Sequence, residues 1–395
     1  MAYNQIYEIV NDATEQAIGA SAIQVVDSST MAQVGGQILG TLNPLTIETF
    51  MNGLFGTIFR TRIKSKKYNP LERFNAYRSA EDFGLYLRKI QRTNILDAKE
   101  NSSFKVQDFT YYNGSLTENW SDRIFGAIGG FETEPVIKAL KQLARCFLNP
   151  AEMAEFIDML DTGMFNDMAC HMESTQTIAR ATAIGSCFAS ANTAVDLGAI
   201  YNTVTGKATS KNGWWYDADL VRFMIVEMKR IISRLKSMNR IYNNEGADRF
   251  TDDADLVIDI HSDFIAGMNG FLENTLIQKF IELPGFNEVT RWQAIGTSVS
   301  ASDTHKIAIK NDNLGVDTTA FSDYTTDGKD IEIDGIVAFV HDVDKYALTV
   351  DDLRTVSAVN SLQEMVTSVT KYDCGYAIDT SEQGIVFYVG DHSAT

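Results

Sequence analysis

Apolar positions recur at helical spacing through the middle of this 395-residue chain. In "AEMAEFIDMLDTGMFNDMACHME", Met153, Phe156, Ile157 and Leu160 share one stripe. In "DADLVRFMIVEMKRIISRLKSMNRIY", Leu220, Met224, Ile231, Leu235 and Met238 share another. Lys229, Arg230, Arg234, Lys236 and Arg240 fall elsewhere on that pattern, which suits a charged outer face. "TEPVIKALKQLARCFL" predicts a helix with Thr133 as its cap and Pro135 just inside, interrupted at Asn149-Pro150. "LTIETFMNGLFGTIFRTRI" reads as a short helix and then a strand. Beyond Phe250 short strands and helices alternate through "DLVIDIHSDF", "IAGMNGFLENTLIQKFI" and "VTRWQAIGTS". The C-terminal "DIEIDGIVAFVHD", "KYALTV" and "GIVFYVG" read as strands, so the fold class is α+β.

Two stretches lack a core of their own. Residues 1–50 mix Ala, Ser, Thr, Gln and Gly with scattered apolar positions, and are expected to lie as an arm on something else. From "KSKKYNPLERFNAYRSAEDFGLYLRKIQ" to "FKVQDFTYYNG" the chain is basic at its start, aromatic throughout and without a sustained helical period. Tyr68, Phe74, Tyr77, Phe83, Tyr86, Phe104, Phe109, Tyr111 and Tyr112 suit strands. A two-stranded loop cannot bury so many rings on itself, so it needs a partner surface.

Length suggests two or three domains, and five prolines argue for interlocked regions rather than modules on linkers. A hydrophobic share of 45% with 22% charged residues is ordinary for a folded soluble protein. The net charge of −18 has the wrong sign for a free nucleic-acid binder, which neutralises phosphates with Lys and Arg. An acidic wall around DNA would instead avoid sticking to it. Cys146, Cys170, Cys187 and Cys374 form no CxxC pair and are expected to be free thiols. "MAYNQIYEIV" lacks the charged and apolar regions of a signal peptide, and no run reaches the roughly 18 apolar residues of a membrane span. Cytosolic synthesis, with no membrane partner, is the expectation.

Candidate chemistry centres on residues 255–264. Read as a strand, that stretch puts Asp259, His261 and Asp263 on one face, where they could hold a divalent metal or run acid–base chemistry. The plainer reading is the solvated side of a sheet. His171, His305, His341 and His392 add no HExxH or HxH spacing. "GAIYNTVTGKAT" fails as a phosphate loop, with its first Gly misplaced and Ala208 where a magnesium-binding hydroxyl belongs. "KNDNLGVDTTAFSD" misses the calcium-loop register and its closing Glu. No Ser or Cys has a nucleophile signature.

The order of the pieces carries more. A polar arm precedes a loop with "YNPLERF", then comes the broken helical segment "FETEPVIKALKQLARCFLNPAEMAEFIDMLDTGM". A helix then precedes "DADLVIDIHSDFIAGMNGFLENTLIQKF", and "IDGIVAFVHDVDKYALTVDDLRTVSAVN" leads to a final strand. This order resembles the major capsid proteins of small phi-29-type tailed phages, which have the Hong Kong 97-like fold. The resemblance implies an N-terminal arm at 1–63, an extended β-hairpin loop at 64–115 and a peripheral domain at 116–216 with a spine helix near 150–173. It further implies an axial domain at 217–345 and return strands of the peripheral domain at 346–395, while residues 175–213 have no evident counterpart.

The resemblance implies a head protein that self-assembles into an icosahedral or prolate shell around a double-stranded DNA genome. It implies no enzyme activity, cofactor or metal, and a structural role for His261. The implied location is the virion capsid, after synthesis in the host bacterial cytoplasm. Arg62, Lys64, Lys66, Lys67, Tyr68, Phe74, Tyr77, Phe83, Tyr86, Phe109, Tyr111 and Tyr112 become the inter-subunit surface. Implied partners are further copies in hexamers and pentamers, a scaffolding protein, a portal, decoration or minor head proteins, and packaged DNA as a non-specific neighbour. Two rival readings stand beside it: a metal-dependent hydrolase using Asp259, His261 and Asp263, and a capsid-like compartment enclosing an enzyme.

Overall fold

A computed structural model describes residues 3–19, 22–40, 43–63, 76–77, 86–92, 120–126, 128–132, 136–148, 150–190, 192–271, 286–293, 303–310, 325–326 and 330–394. The N-terminal elements are α1 (Tyr3–Ile18), α2 (Ser28–Leu39), α3 (Pro44–Ile63), β1 (Ala76–Tyr77), β2 (Tyr86–Arg92) and β3 (Trp120–Gly126). There follow β4 (Ile128–Glu132), β5 (Val136–Ala139), α4 (Leu140–Cys146), α5 (Pro150–Cys187), β6 (Ala194–Asp196), α6 (Leu197–Thr205) and α7 (Ala218–Leu235). Next come β7 (Leu256–His261), α8 (Ser262–Phe271), β8 (Phe286–Val289), β9 (Ile307–Lys310), β10 (Thr325–Thr326) and β11 (Asp330–Ile333). The last are β12 (Ile336–Asp342), β13 (Tyr346–Asn360), β14 (Met365–Ile378) and β15 (Gly384–Tyr388). They divide into two compact units.

The first unit comprises Met1–Leu85, Ile128–Thr175 and Thr349–Gly375. The stretch expected to lie as a coreless arm folds here into helices. Val10 and Ala13 of α1, Met31 and Val34 of α2, and Ile47, Phe50 and Leu54 of α3 are buried together with Leu143, Phe147 and Phe156. The apolar positions are sparse, yet they suffice because α4 and the start of α5 complete their core. Asp27 starts α2 with a capping box: its carboxylate accepts the Thr30 N–H at 2.8 Å, and the Thr30 hydroxyl accepts the Asp27 N–H at 3.0 Å. α3 runs as one helix where a helix and a strand were expected. Asn43 accepts the Leu45 N–H at 3.2 Å, and Pro44 occupies the first turn, where its missing N–H costs nothing.

The sheet of this unit has the order β1-β13-β14-β4, with β5 also beside β14. β5 is a correction. Residues 136–139 were expected to be helical, but Val136–Ala139 pairs antiparallel with Ser368–Met365 of β14. α4 begins only at Leu140, whose N–H donates to the Glu364 carbonyl at 2.8 Å. Two β-branched residues beside an open strand edge outweigh the helix signal. α5 starts at Pro150 as the sequence indicated, and continues for 38 residues to Cys187, well past residue 173.

The second unit comprises Tyr86–Ala127, Gln176–Leu348 and Tyr376–Thr395. Its main sheet has the order β6-β15-β12-β7-β8, antiparallel at β15–β12–β7 and parallel at both edges. One face packs on α7 and α8: Leu220, Met224, Ile231 and Leu235 meet Ile258, Ile260, Val340 and Phe387 in one core. Four of the five stripe residues expected on α7 are thus buried, and Met238, past the end of the helix, is 45% exposed. Asp217 caps α7 by accepting the Asp219 and Leu220 N–H groups. A small sheet β10-β11-β9 and the antiparallel ladder β2-β3 complete the unit. Among the described residues no helix is long and apolar enough to cross a membrane.

Candidate functional site

β7 lies between β12 and β8, and each of its six residues is buried. The expected solvated face of Asp259 and His261 does not exist: they are 0% and 1% exposed. Leu256, Ile258 and Ile260 face the α7–α8 core, and the opposite face is covered too. There the imidazole of His341 approaches Asp259 at 3.7 Å, and the Asn287 amide donates to Asp259 at 3.0 Å. Burial opposes ionisation of Asp259, but His341, the Arg180 charge and Asn287 outweigh it and hold the carboxyl below its usual range. Arg180 also donates to the Arg291 carbonyl at 3.2 Å and lies over the Trp292 ring. The Tyr346 phenol is pushed well up by burial and by Asp259.

Asp263 is not on the strand. The helix begins at Ser262, so Asp263 stands in the first turn of α8 and leaves the row. It meets His305, whose Nε2 is 2.9 Å from the Asp263 carboxylate, while His261 Nδ1 is 3.7 Å from the same oxygen. The two imidazole centroids are 3.8 Å apart. Burial above all, then the neighbouring His305, lowers the His261 pKa to about 4, against the opposing pull of Asp263. The proposed trio therefore separates: Asp259 sits with His341 and the Arg180 charge, and His261 and Asp263 join His305. No local spacing signals His305, because the chain returns to β7 through an element distant in sequence.

The "GAIYNTVTGKAT" stretch is α6, capped by Asp196 and closed by Gly206 at φ 70°, with no strand–loop–helix phosphate cradle. The cysteines are free thiols. Lys89 of β2, a residue the sequence reading passed over, lies 2.9 Å from Asp379 and 2.8 Å from Glu382. Burial would lower its pKa, but the two carboxylates raise it.

The expected inter-subunit residues fall mainly beyond these elements. Lys64, Lys66, Lys67, Tyr68, Phe74, Phe83, Phe109, Tyr111 and Tyr112 lie outside the described residues, as does "KNDNLGVDTTAFSD" beyond Lys310. The backbone of Arg62 belongs to α3, that of Tyr77 to β1 and that of Tyr86 to β2. β2 and β3 pair from Tyr86↔Gly126 to Arg92↔Trp120 and so bracket residues 93–119 at their base.

Residues 6–388 match the family model described as Phi29-like phage major capsid protein. The capsid structure of Staphylococcus phage Andhra is similar at 12% identity with a TM-score of 0.50, over 82% of this chain and 84% of that one. The mature capsid of bacteriophage PhiM1 is similar at 10% identity with a TM-score of 0.43, over 82% of this chain and 88% of that one. No curated protein matches the chain in sequence.

Proposed function

Because the chain belongs to the family of Phi29-like phage major capsid proteins, we propose that its shell encloses a double-stranded DNA genome and is closed by the extended loop at residues 64–115. The protein is a non-enzymatic structural subunit of the virion that self-assembles into an icosahedral or prolate shell. The family match over residues 6–388 carries that conclusion.

The proposal concerns how the shell closes. The β2–β3 ladder supports an extended hairpin, since it holds both ends of a stretch containing Phe104, Phe109, Tyr111 and Tyr112. Those rings, with Tyr68, Phe74, Tyr77, Phe83 and Tyr86, are buried on a neighbouring copy. Each 100 Å² of apolar surface covered there contributes about 2.5 kcal/mol before entropic costs. Arg60, Arg62, Lys64, Lys66 and Lys67 meet carboxylates of the acidic neighbour and orient the contact. In this reading α5 is the spine helix, residues 217–345 include the axial domain and the final strands return to the peripheral sheet. Copies gather in hexamers and pentamers with a scaffolding protein, a portal and decoration or minor head proteins, and an acidic inner wall lets packaged DNA slide.

Negative-stain microscopy of the purified chain, alone and with a scaffolding protein added, tests the reading. Closed shells are expected. Single subunits persisting at high concentration in both conditions would overturn it, and shells filled with an enzyme rather than DNA would favour the compartment.

A further inference from the structure

Three potential ligands converge from three elements: His261 ends β7, Asp263 stands in the first turn of α8, and His305 precedes β9. One donor atom from each lies within 4.8 Å of the others, and both histidines are buried. The His305 ring is held on two sides. It stacks on Trp215 at 4.9 Å and an interplanar angle of 17°, and meets Trp214 edge-on at 5.3 Å. Its Nδ1 is 3.2 Å from the Ile336 carbonyl, so that nitrogen carries a proton. In a neutral ring Nε2 then presents a lone pair to the Asp263 carboxylate 2.9 Å away. Two acceptors at that distance require a positive charge between them, either a second proton or a metal ion.

His261 decides between these occupants. Its Nδ1 accepts the Asp263 N–H at 3.1 Å, and the backbone of Thr290 and Thr304 also interacts with the buried ring. His261 Nδ1 is also 3.7 Å from the Asp263 carboxylate that His305 meets, so an ion at that carboxylate would draw on both imidazoles, in exchange for the Asp263 N–H bond. The donor types also discriminate. Two nitrogens with one carboxylate oxygen suit zinc-class ions, while magnesium and calcium prefer oxygen throughout. A backbone carbonyl orienting the far nitrogen of one ligand, as Ile336 orients His305, is the usual support of such a centre. The Asp263 side chain is 39% exposed, which leaves an entry path and room for water.

We propose that His261, Asp263 and His305 bind one divalent transition-metal ion of the zinc class, with solvent completing its coordination. The ion is a brace. It ties the end of β7 and the start of α8 to the stretch leading into β9, a connection otherwise made by ring contacts and single hydrogen bonds. This assignment does not depend on how the shell closes.

The test titrates the full-length chain, stripped with EDTA and desalted, with zinc by calorimetry and with cobalt by visible absorption. One ion per chain is expected, with the ligand-field band of a four- or five-coordinate cobalt site and a higher Tm that EDTA reverses. Asp263→Asn and His305→Gln should each weaken zinc binding about tenfold or more, whereas Asp255→Asn, an exposed change before the opposite end of β7, should not. If His305→Gln fails to fold, the half-exposed Asp263→Asn decides alone. Absence of saturable binding to the wild-type chain, or binding unchanged by Asp263→Asn, overturns the assignment.

Discussion

Lys89 Nζ lies 2.8 Å from Glu382 Oε1, and the same ammonium is 2.9 Å from Asp379. One cation on β2 thus neutralises two carboxylates in the turn between β14 and β15, and Asp379 is only 3% exposed. Replacing Lys89 with Met keeps the aliphatic stem but leaves both acids without that charge. The expected loss in unfolding free energy is about 3 kcal/mol, read from the denaturant midpoint. Adding Glu382→Gln to Lys89→Met should recover part of it.

Asp342 gives a pH dependence of opposite sign to ordinary carboxylates. Burial first, then Glu382 and Asp344, raise its pKa from 3.8 to about 6, against the Asp344 N–H and Thr251. The folded state therefore binds this proton more tightly than the unfolded chain. Its stabilisation is full below pH 3.8 and is lost as pH rises through about 6. Asp342→Asn, which stays neutral, should change this one contribution by up to about 3 kcal/mol between those limits. Wild-type and variant stabilities that run parallel across the window would remove Asp342 as the cause.

Two glycines separate strain from collision. Gly335 has φ +74°, and a Cβ there would collide with the Val389 carbonyl oxygen, whereas Gly246 has φ +67° and nothing within 4 Å. Gly246→Ala should cost about 1–2 kcal/mol for the left-handed conformation alone. Gly335→Ala should cost more, about 3 kcal/mol or above, because the strand ends must also part. Equal losses in thermal unfolding would contradict this contrast.

The loop assignment makes the remaining prediction. Changing Tyr68, Phe74 and Tyr77 together to Ala should leave a subunit with wild-type circular dichroism that forms no shells by light scattering or microscopy. Normal shells from that triple variant would show that these rings do not carry the contact.

Legibility followed the range of the interactions. α7 announced itself through Leu220, Met224, Ile231 and Leu235, and Pro150 marked the start of α5 correctly. β12 and β15 stood out as apolar runs. The N-terminal helices did not, because Val10, Met31 and Phe50 reach burial only against Phe147 and Phe156, far along the chain. β5 read as helix until β14 supplied a register for Val136–Ala139.

The order of the chain's segments was enough for it to resemble a shell-forming family, because that order is a property of the sequence itself. That neither side of β7 meets water was not legible there. Alternation reports that one face is covered, and cannot report that His341, Trp292 and Tyr346 arrive to cover the other. Nor can spacing bring His305 to Asp263. Both depend on segments that meet only when the sheet closes, so burial of Asp259 and the pairing of the two imidazoles belong to the tertiary structure alone.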